Sequence, residues 1–441
     1  MSQISHGRVL RIALPIVISN ATVPLLGAVD TAVVGQMGQA APIGAVGIGA
    51  VVLASVYWIF GFLRMGTTGL VAQARGEGDS LEVSAGLIRA VLIGWLAGLC
   101  LIVLQSPVLW AAFQIAPASP EVERLAEDYL SIRIWGAPAT ISLYAFTGWL
   151  IALERTRAVL VLQLLMNGLN VGLDLWFVLG LGLGVKGVAT ATLIAELSGL
   201  VLALWLARSA LVPGLSRAVI LAAGPLKQMA RVNTDIMIRS VILQGSFTTF
   251  LFLGAGQGDV KLAANQVLLQ FLEITAYALD GFAFAAESLV GQAVGARSPA
   301  RLRRAAIVAS QWGAGGAALL AAIFLIFGGA IIDTMTTAPE VRETARHYLP
   351  WMGVAPLIGI AAWMFDGIFI GATLTREMRN AMLLSVAIYI FALCALIPAF
   401  GNHGLWAALM VLNLARGLTM ARLYPRAEAK AAPAQGGAAP L

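Results

Sequence analysis

Two carboxylates, Asp30 and Asp174, lie inside long apolar stretches of this chain, where an ionisable group needs a chemical reason. On insertion scales an ionised side chain at the centre of a bilayer span costs about 2.5–3.5 kcal/mol. Asp30 lies about eight residues from the end of its stretch near Gly38, and Asp174 about six from the end near Gly180. At about 1.5 Å per helical residue, both sit roughly 10 Å below one surface. Asn167, Asn170 and Asp174 are spaced i, i+3, i+7 and share one helix face. Thr190 and Thr192 open the next stretch from the same side at similar depth. Two carboxylates, an amide and a hydroxyl are all oxygen donors, a set that suits a hard cation such as Na+. The same set suits one proton shared between two carboxylates, because burial and like charge both favour a neutral carboxyl. The competing reading is a polar network that only packs spans 1, 5 and 6, although such networks more usually pair acid with base.

Other charges within apolar stretches read as ion pairs. Arg239 lies about eight residues inside Arg231 and Glu287 about ten inside Arg297, matching depths, while Asp235 is one helical turn from Arg239. That spacing predicts a pair or triad with a structural or gating role. Arg64 falls at a depth between Asp280 and Glu287, where pairing would lock one state; Asp280 could instead meet a cationic substrate. Tyr57, Trp58, Tyr144, Trp149, Tyr277 and Met37 could line a surface for organic cations, which aromatic faces attract. Aromatics in such stretches more often pack or face lipid. Pro15 and Pro24, both in the first stretch, each remove a backbone hydrogen bond and favour a bend.

The elements that must position these residues are membrane spans. Hydrophobic residues make up 59% of the 441 positions and charged residues 11%, against roughly 25% charged in soluble domains. Apolar stretches of about 20 residues recur along the whole length, each enough to cross a bilayer core. Their cores predict twelve helices: 12–36, 44–71, 86–113, 130–153, 159–181, 187–207, then 234–256, 263–292, 305–331, 348–374, 380–399 and 404–423. Assigning Lys and Arg to alternate sides puts eighteen on the side of the N-terminus and five on the other, so both termini are expected in the cytoplasm. The net charge of +6 therefore reports topology rather than a nucleic-acid surface.

The chain also repeats itself at an offset of about 219 residues. Pro120-Glu121-Val122 with Tyr129 returns as Pro339-Glu340-Val341 with Tyr348, and Gly184/Gly187 returns as Gly401/Gly404. Six spans per half is an even number, so the expected fold is an all-α polytopic membrane protein. Its two six-helix lobes would be related by a pseudo-twofold axis around a central cleft. The predicted division is a lobe over 1–210, a cytoplasmic linker over 211–232 with an interfacial helix near Val219–Ala223, a lobe over 233–424, and a disordered tail over 425–441. Asp30 has Thr249 as its repeat counterpart and Asp174 has Phe391, so neither carboxylate is duplicated. Gly44/Gly47 reads as close helix packing, Cys100 and Cys394 read as buried packing residues, and His6, His347 and His403 are far apart in sequence.

Several runs resemble the multidrug and toxic-compound extrusion (MATE) family: Val29-Asp30-Thr31-Ala32-Val33-Val34-Gly35, Gly66-Thr67-Thr68-Gly69-Leu70-Val71-Ala72-Gln73, and Asn170-Val171-Gly172-Leu173-Asp174. Asn233-Thr234-Asp235-Ile236, Ala263-Ala264-Asn265-Gln266-Val267-Leu268, Leu279-Asp280-Gly281-Phe282-Ala283 and Gly371-Ala372-Thr373-Leu374-Thr375-Arg376 resemble its DNA-damage-inducible-F branch. The resemblance covers residues 8–423. It implies an antiporter in the bacterial cytoplasmic membrane that expels amphipathic or cationic organic compounds against inward H+ or Na+. It also implies a coupling site at Asp30, Asn170, Asp174 and Thr192. Another branch of the family carries a second acidic site, to which Asp366 could correspond, but the seventh span here has no glutamate.

The expectation is thus a monomeric transporter whose partners are a small organic molecule and membrane lipid, with no cofactor beyond the coupling ion and no nucleic acid. A lipid-linked oligosaccharide flippase of the same superfamily is the alternative, and flippases usually carry a cationic cavity. A membrane enzyme would need a clustered nucleophile, metal or acid–base constellation, and no such set is visible in the sequence.

Overall fold

A helix satisfies all its backbone polar groups internally, the condition for crossing a hydrocarbon layer, and every long apolar stretch here is helical. The computed structural model describes residues 3–36, 40–115, 119–210 and 212–433. In chain order its helices are α1 (His6–Gly35), α2 (Ala40–Ile59), α3 (Phe62–Glu77), α4 (Ser80–Val103), α5 (Gln105–Ile115), α6 (Pro120–Arg133), α7 (Ala137–Ala152), α8 (Thr156–Asp174) and α9 (Gly184–Leu206). There follow α10 (Arg217–Ile220), α11 (Ala223–Ala255), α12 (Asp259–Gly295), α13 (Pro299–Met335), α14 (Pro339–Tyr348), α15 (Pro350–Gly371), α16 (Thr375–Phe400) and α17 (Asn402–Lys430). Among the described residues there is no strand. Among the described residues, eleven helices or joined helix pairs are long and apolar enough to cross a membrane, and the 30-residue α1 stands in addition to them.

The outward faces are apolar, as lipid contact requires: Leu96, Val103, Phe252, Ile326 and Phe391 are all exposed. Cys100 and Cys394 belong to this outward surface, not to the packed interior expected from their surroundings in sequence. Apolarity alone does not separate a lipid-facing position from a buried one in a helix that is apolar all round.

The helices group into two compact units. One takes Ile18–Thr67 and Ser80–Met229; the other takes the residues up to Val17, Thr68–Asp79 and those from Ala230 onward. The grouping follows the two halves except at 1–17 and 68–79. Helix α1 changes unit between Val17 and Ile18, a point that lies between Pro15 and Pro24.

Within each unit, small residues bring backbones together. Gly94 and Gly98 face α7, and a Cβ on Gly98 would lie 2.4 Å from Pro138 Cα. Gly367 and Gly371 face α12, where a Cβ would lie 2.4 Å from Ala283 O and from Glu287 O respectively. Gly47 meets nothing within 4 Å, and Gly44 makes only an ordinary contact with Val122, so that pair is not a close-packing motif.

The repeat is visible in local geometry. Pro120 and Pro339 each open a helix, α6 and α14, at a position where a missing N–H costs nothing. Gly184 and Gly401 both have left-handed φ, +58° and +55°, at the start of the last long helix of each half.

Two boundaries differ from the sequence expectation. Helix α17 continues through Pro425 to Lys430, where composition suggested disorder. Ala427 is buried, Glu428 pairs with Arg303 at 2.7 Å, and Lys430 Nζ donates to Thr373 Oγ1 at 2.6 Å. These contacts hold residues that lack apolar periodicity; residues 434–441 of the expected tail lie outside the described residues. In the linker, the run near Val219 forms a single turn, α10, rather than a separate surface helix. Buried Arg89 on α4 donates to Val219 O (2.6 Å) and Ile220 O (2.7 Å), tying the end of α10 down.

Candidate functional site

Helices α1, α8 and α9 bring Asp30, Asn170, Asp174 and Thr192 together within one unit. With the Asn170 amide oxygen toward Thr192, Oδ1 accepts from Thr192 Oγ1 at 2.9 Å. Asn170 Nδ2 then donates to Asp30 Oδ1 (3.0 Å) and Asp174 Oδ2 (3.2 Å). Rotated by half a turn, Nδ2 donates to Thr192 Oγ1 at 2.9 Å and the amide oxygen faces the carboxylates. Such an assignment follows from the hydrogen-bond network, and the two orientations suit different states. Nδ2 toward the carboxylates compensates negative charge, whereas the amide oxygen toward them completes an all-oxygen cradle for a cation.

With Nδ2 toward the carboxylates, one amide nitrogen reaches both carboxyls, so Asp30 and Asp174 belong to a single hydrogen-bond network. Asp174 is fully buried, and its Oδ1 has no hydrogen-bond partner among the described residues. That orphaned oxygen beside a second carboxyl fits H+ or Na+ equally well. Directly after Asp174 the helix loosens into a π turn over Leu175–Gly180, a departure common at functional positions.

The polar face of α8 continues away from Asp174. Asn167 Nδ2 donates to Thr22 Oγ1 at 2.7 Å, and Asn167 Oδ1 accepts from Gln163 Nε2 at 2.9 Å. Asn167 thus supports α1 against α8 without touching the carboxylates. Thr190 donates to Lys186 O on its own helix and is not part of the site, contrary to the depth argument. Met37 lies outside the described residues.

A second charged pair in this unit was missed by the sequence reading. Arg133, at the end of α6, donates to Glu196 Oε2 at 2.6 Å, and both side chains are about nine-tenths buried. Glu196 is i+4 from Thr192 on α9, one turn along the same face. Tyr57, Tyr129 and Tyr144 surround the pair. Of the residues considered for an aromatic surface, Tyr57 is buried beside Glu196. Trp149 is buried with its indole donating to Val83 O, and Trp58 is exposed. The available signal was subtraction. The side-assignment of Lys and Arg leaves five over, Arg64, Arg89, Arg133, Arg239 and Arg416, and all five are buried.

In the other unit the expected charge pairing is rearranged. Arg239 pairs with Asp366, which also accepts from Arg416 Nη2 at 2.7 Å. Asp235 pairs instead with Arg379 at 2.6 Å and accepts from Thr375 Oγ1 at 3.2 Å. Asp235 lies one turn nearer the N-terminal end of α16, where a carboxylate is favoured; Arg239 lies where α15 and α17 converge. Asp366 is thus flanked by two buried guanidiniums. A carboxylate in that setting is already over-compensated and has no charge left for a coupling cation. Arg64 and Glu287 are buried and Asp280 is partly buried, each within its own unit. Thr249, the repeat counterpart of Asp30, donates to Gly245 O on its own helix.

The histidines are not all separate. His347 Nε2 and His403 Nε2 lie 3.0 Å apart, and Trp351 Nε1 donates to His403 Nδ1 at 3.1 Å. That donor makes His403 the Nε2–H tautomer, which donates to His347. Sequence separation carried no hint of this contact because two loop ends of one unit create it.

The family model described as MatE matches the chain twice, over residues 15–176 and 236–396, once in each half. The chain is 38% identical over 418 residues to DNA damage-inducible protein F of Escherichia coli (strain K12), covering 94% of this chain and 91% of that protein. It is 30% identical over 431 residues to a probable multidrug resistance protein NorM of Rhizobium meliloti (strain 1021), with 89% of each covered. Among solved structures, the outward-facing conformation of a multidrug resistance MATE family transporter of the MOP superfamily superimposes with a TM-score of 0.83. Identity to that structure is 19%, over 96% of each chain.

Proposed function

The chain belongs to the MatE family of multi-pass membrane transporters, and from that premise we propose that it exports amphipathic or cationic organic compounds in exchange for H+ or Na+. The observation that carries the reading is the convergence of the Asp30 and Asp174 carboxyls on one amide, Asn170, in an apolar helical unit, with Thr192 on its other side. Two ionised carboxylates that share one amide repel strongly in a low dielectric, so a proton or a metal cation that offsets their charge stabilises the pair. Occupancy therefore changes the charge of the pocket, and with it the preferred packing of α1 against α8 and α9. A cation entering from outside, moving one charge through about 100 mV, supplies about 2.3 kcal/mol. Helix α1 carries both Asp30 and the two prolines, so a bend at Pro15 or Pro24 converts a changed contact at Asp30 into movement of the helix.

In this reading both termini are cytoplasmic, in line with eighteen Lys and Arg against five on the alternate sides. The flippase alternative draws on the excess positive charge of Arg239 and Arg416 around Asp366. The test uses purified protein in proteoliposomes, with efflux of ethidium followed while the Na+ and pH gradients are imposed independently. The reading predicts that one gradient drives uphill ethidium movement. Ethidium movement indifferent to both gradients, or transport of a pyrophosphate lipid instead, overturns it.

A further inference from the structure

The unit that holds Asp30 and Asp174 also holds a buried acid, Glu196, one helical turn from Thr192, and a buried cation paired with it, Arg133. Arg133 Nη1 is bonded to Glu196 Oε2 at 2.6 Å, and its guanidinium also lies within electrostatic reach of Asp30 and Asp174. Its Nε is buried with no hydrogen-bond partner among the described residues, as is the Tyr57 hydroxyl beside it. Glu196 is held from behind: a Cβ on Gly136 would lie 2.4 Å from Glu196 Oε2, so the carboxylate rests against the short turn joining α6 to α7. Of the two partners, the arginine is the one with a donor left unused, its Nε.

We propose that Arg133 and Glu196 set the cation demand of the Asp30–Asp174 pair: Glu196 detains a buried positive charge that would otherwise help neutralise that pair. The proposal rests on reading Asp30 and Asp174 as the coupling site. One guanidinium fully compensates one carboxylate in a low-dielectric interior. While Glu196 is ionised and holds Arg133, the aspartates must take their compensating charge from outside, as H+ or Na+. If Glu196 is neutral, the Arg133 charge is no longer cancelled, acts on the aspartates and replaces the external cation. The charged and titratable groups that bear on this balance come from every helix around it. They are Asp30 on α1, Tyr57 on α2, Tyr129 on α6, Tyr144 on α7 with Arg64 facing it, Asp174 on α8 and Glu196 on α9.

The test compares wild type, Asp174→Asn, Glu196→Gln, Arg133→Gln and the double variant Arg133→Gln/Glu196→Gln in the same proteoliposome assay. The readout is how ethidium efflux depends on external cation concentration. In Glu196→Gln the half-maximal cation concentration should rise by about tenfold or more, the effect of one full opposite charge on a neighbouring carboxylate. Removing both partners leaves the aspartates again dependent on an external cation, so the double variant should return to the wild-type profile. A purely structural ion pair gives the opposite order: the double variant is no better than either single one, and no profile moves. A wild-type profile in Glu196→Gln, with coupling lost in Asp174→Asn, overturns the proposal and leaves the coupling site standing. Coupling retained in Asp174→Asn overturns both. If Glu196→Gln does not fold, Arg133→Gln decides: it leaves Glu196 ionised and unpaired beside the aspartates, so its half-maximal cation concentration should fall by about tenfold, and a wild-type profile in Arg133→Gln overturns the proposal.

Discussion

Asp174→Asn and Asp30→Asn should each abolish gradient-driven efflux while leaving the protein folded. Asparagine fills the same space and carries a permanent N–H, so it satisfies the neighbouring carboxyl without a proton and the pocket becomes indifferent to the coupling ion. Loss of one charged ligand should weaken cation binding by about 10- to 100-fold, on the order of 1.5–3 kcal/mol for hydrogen bonds to a charged group. The effect should be larger at Asp174, which is fully buried and meets Asn170 from its own helix, than at partly exposed Asp30. Efflux in vesicles with an imposed gradient, checked against thermal unfolding in detergent, measures both halves of the expectation. Wild-type coupling in both variants would remove the site from the mechanism.

The second large effect is on stability and lies in the other unit. Asp366→Asn leaves Arg239 and Arg416 buried side by side with no carboxylate between them. Breaking a buried ion pair by removing one partner costs about 3–5 kcal/mol, and here one deletion strands two guanidiniums. Thermal unfolding in detergent should show a large drop for Asp366→Asn. Replacing all three residues with apolar side chains of similar size should recover most of it, because no uncompensated charge remains. A small change in Asp366→Asn would mean that water or another group reaches this cluster and shares its charge.

The spans and the carboxylate site were legible in the sequence for one physical reason. In an apolar helix a carboxylate is costly, so Asp30 and Asp174 stand out, and helical periodicity then selects Asn170 on the same face as Asp174. Depth matching across helices selects both Thr192, which meets Asn170, and Thr190, which bonds its own helix, since depth alone does not say which way a side chain points. Charge pairs were harder. Arg239 was expected to meet Asp235, one turn away, but Asp366 from a distant helix won that contact and Asp235 found Arg379. Arg133 escaped notice because it closes α6, a helix with several charged residues that reads as a loop edge; its burial with Glu196 is created by the turn at Ile134–Gly136. The repeat located the lobes but not the chemistry. The two halves share the prolines that open α6 and α14 and the left-handed glycines before α9 and α17. They differ in sign at their charged centres, acid-rich around Asp174 and base-rich around Asp366.

The most direct test of coupling needs no membrane. Purified protein in weakly buffered detergent is titrated with ethidium while bound-cation release is followed by a pH or Na+ electrode. Binding at linked sites is reciprocal, so wild type should release about one cation per chain as ethidium binds, and the Asp30→Asn/Asp174→Asn double variant should release none. Ethidium binding with equal release from both proteins would contradict the account.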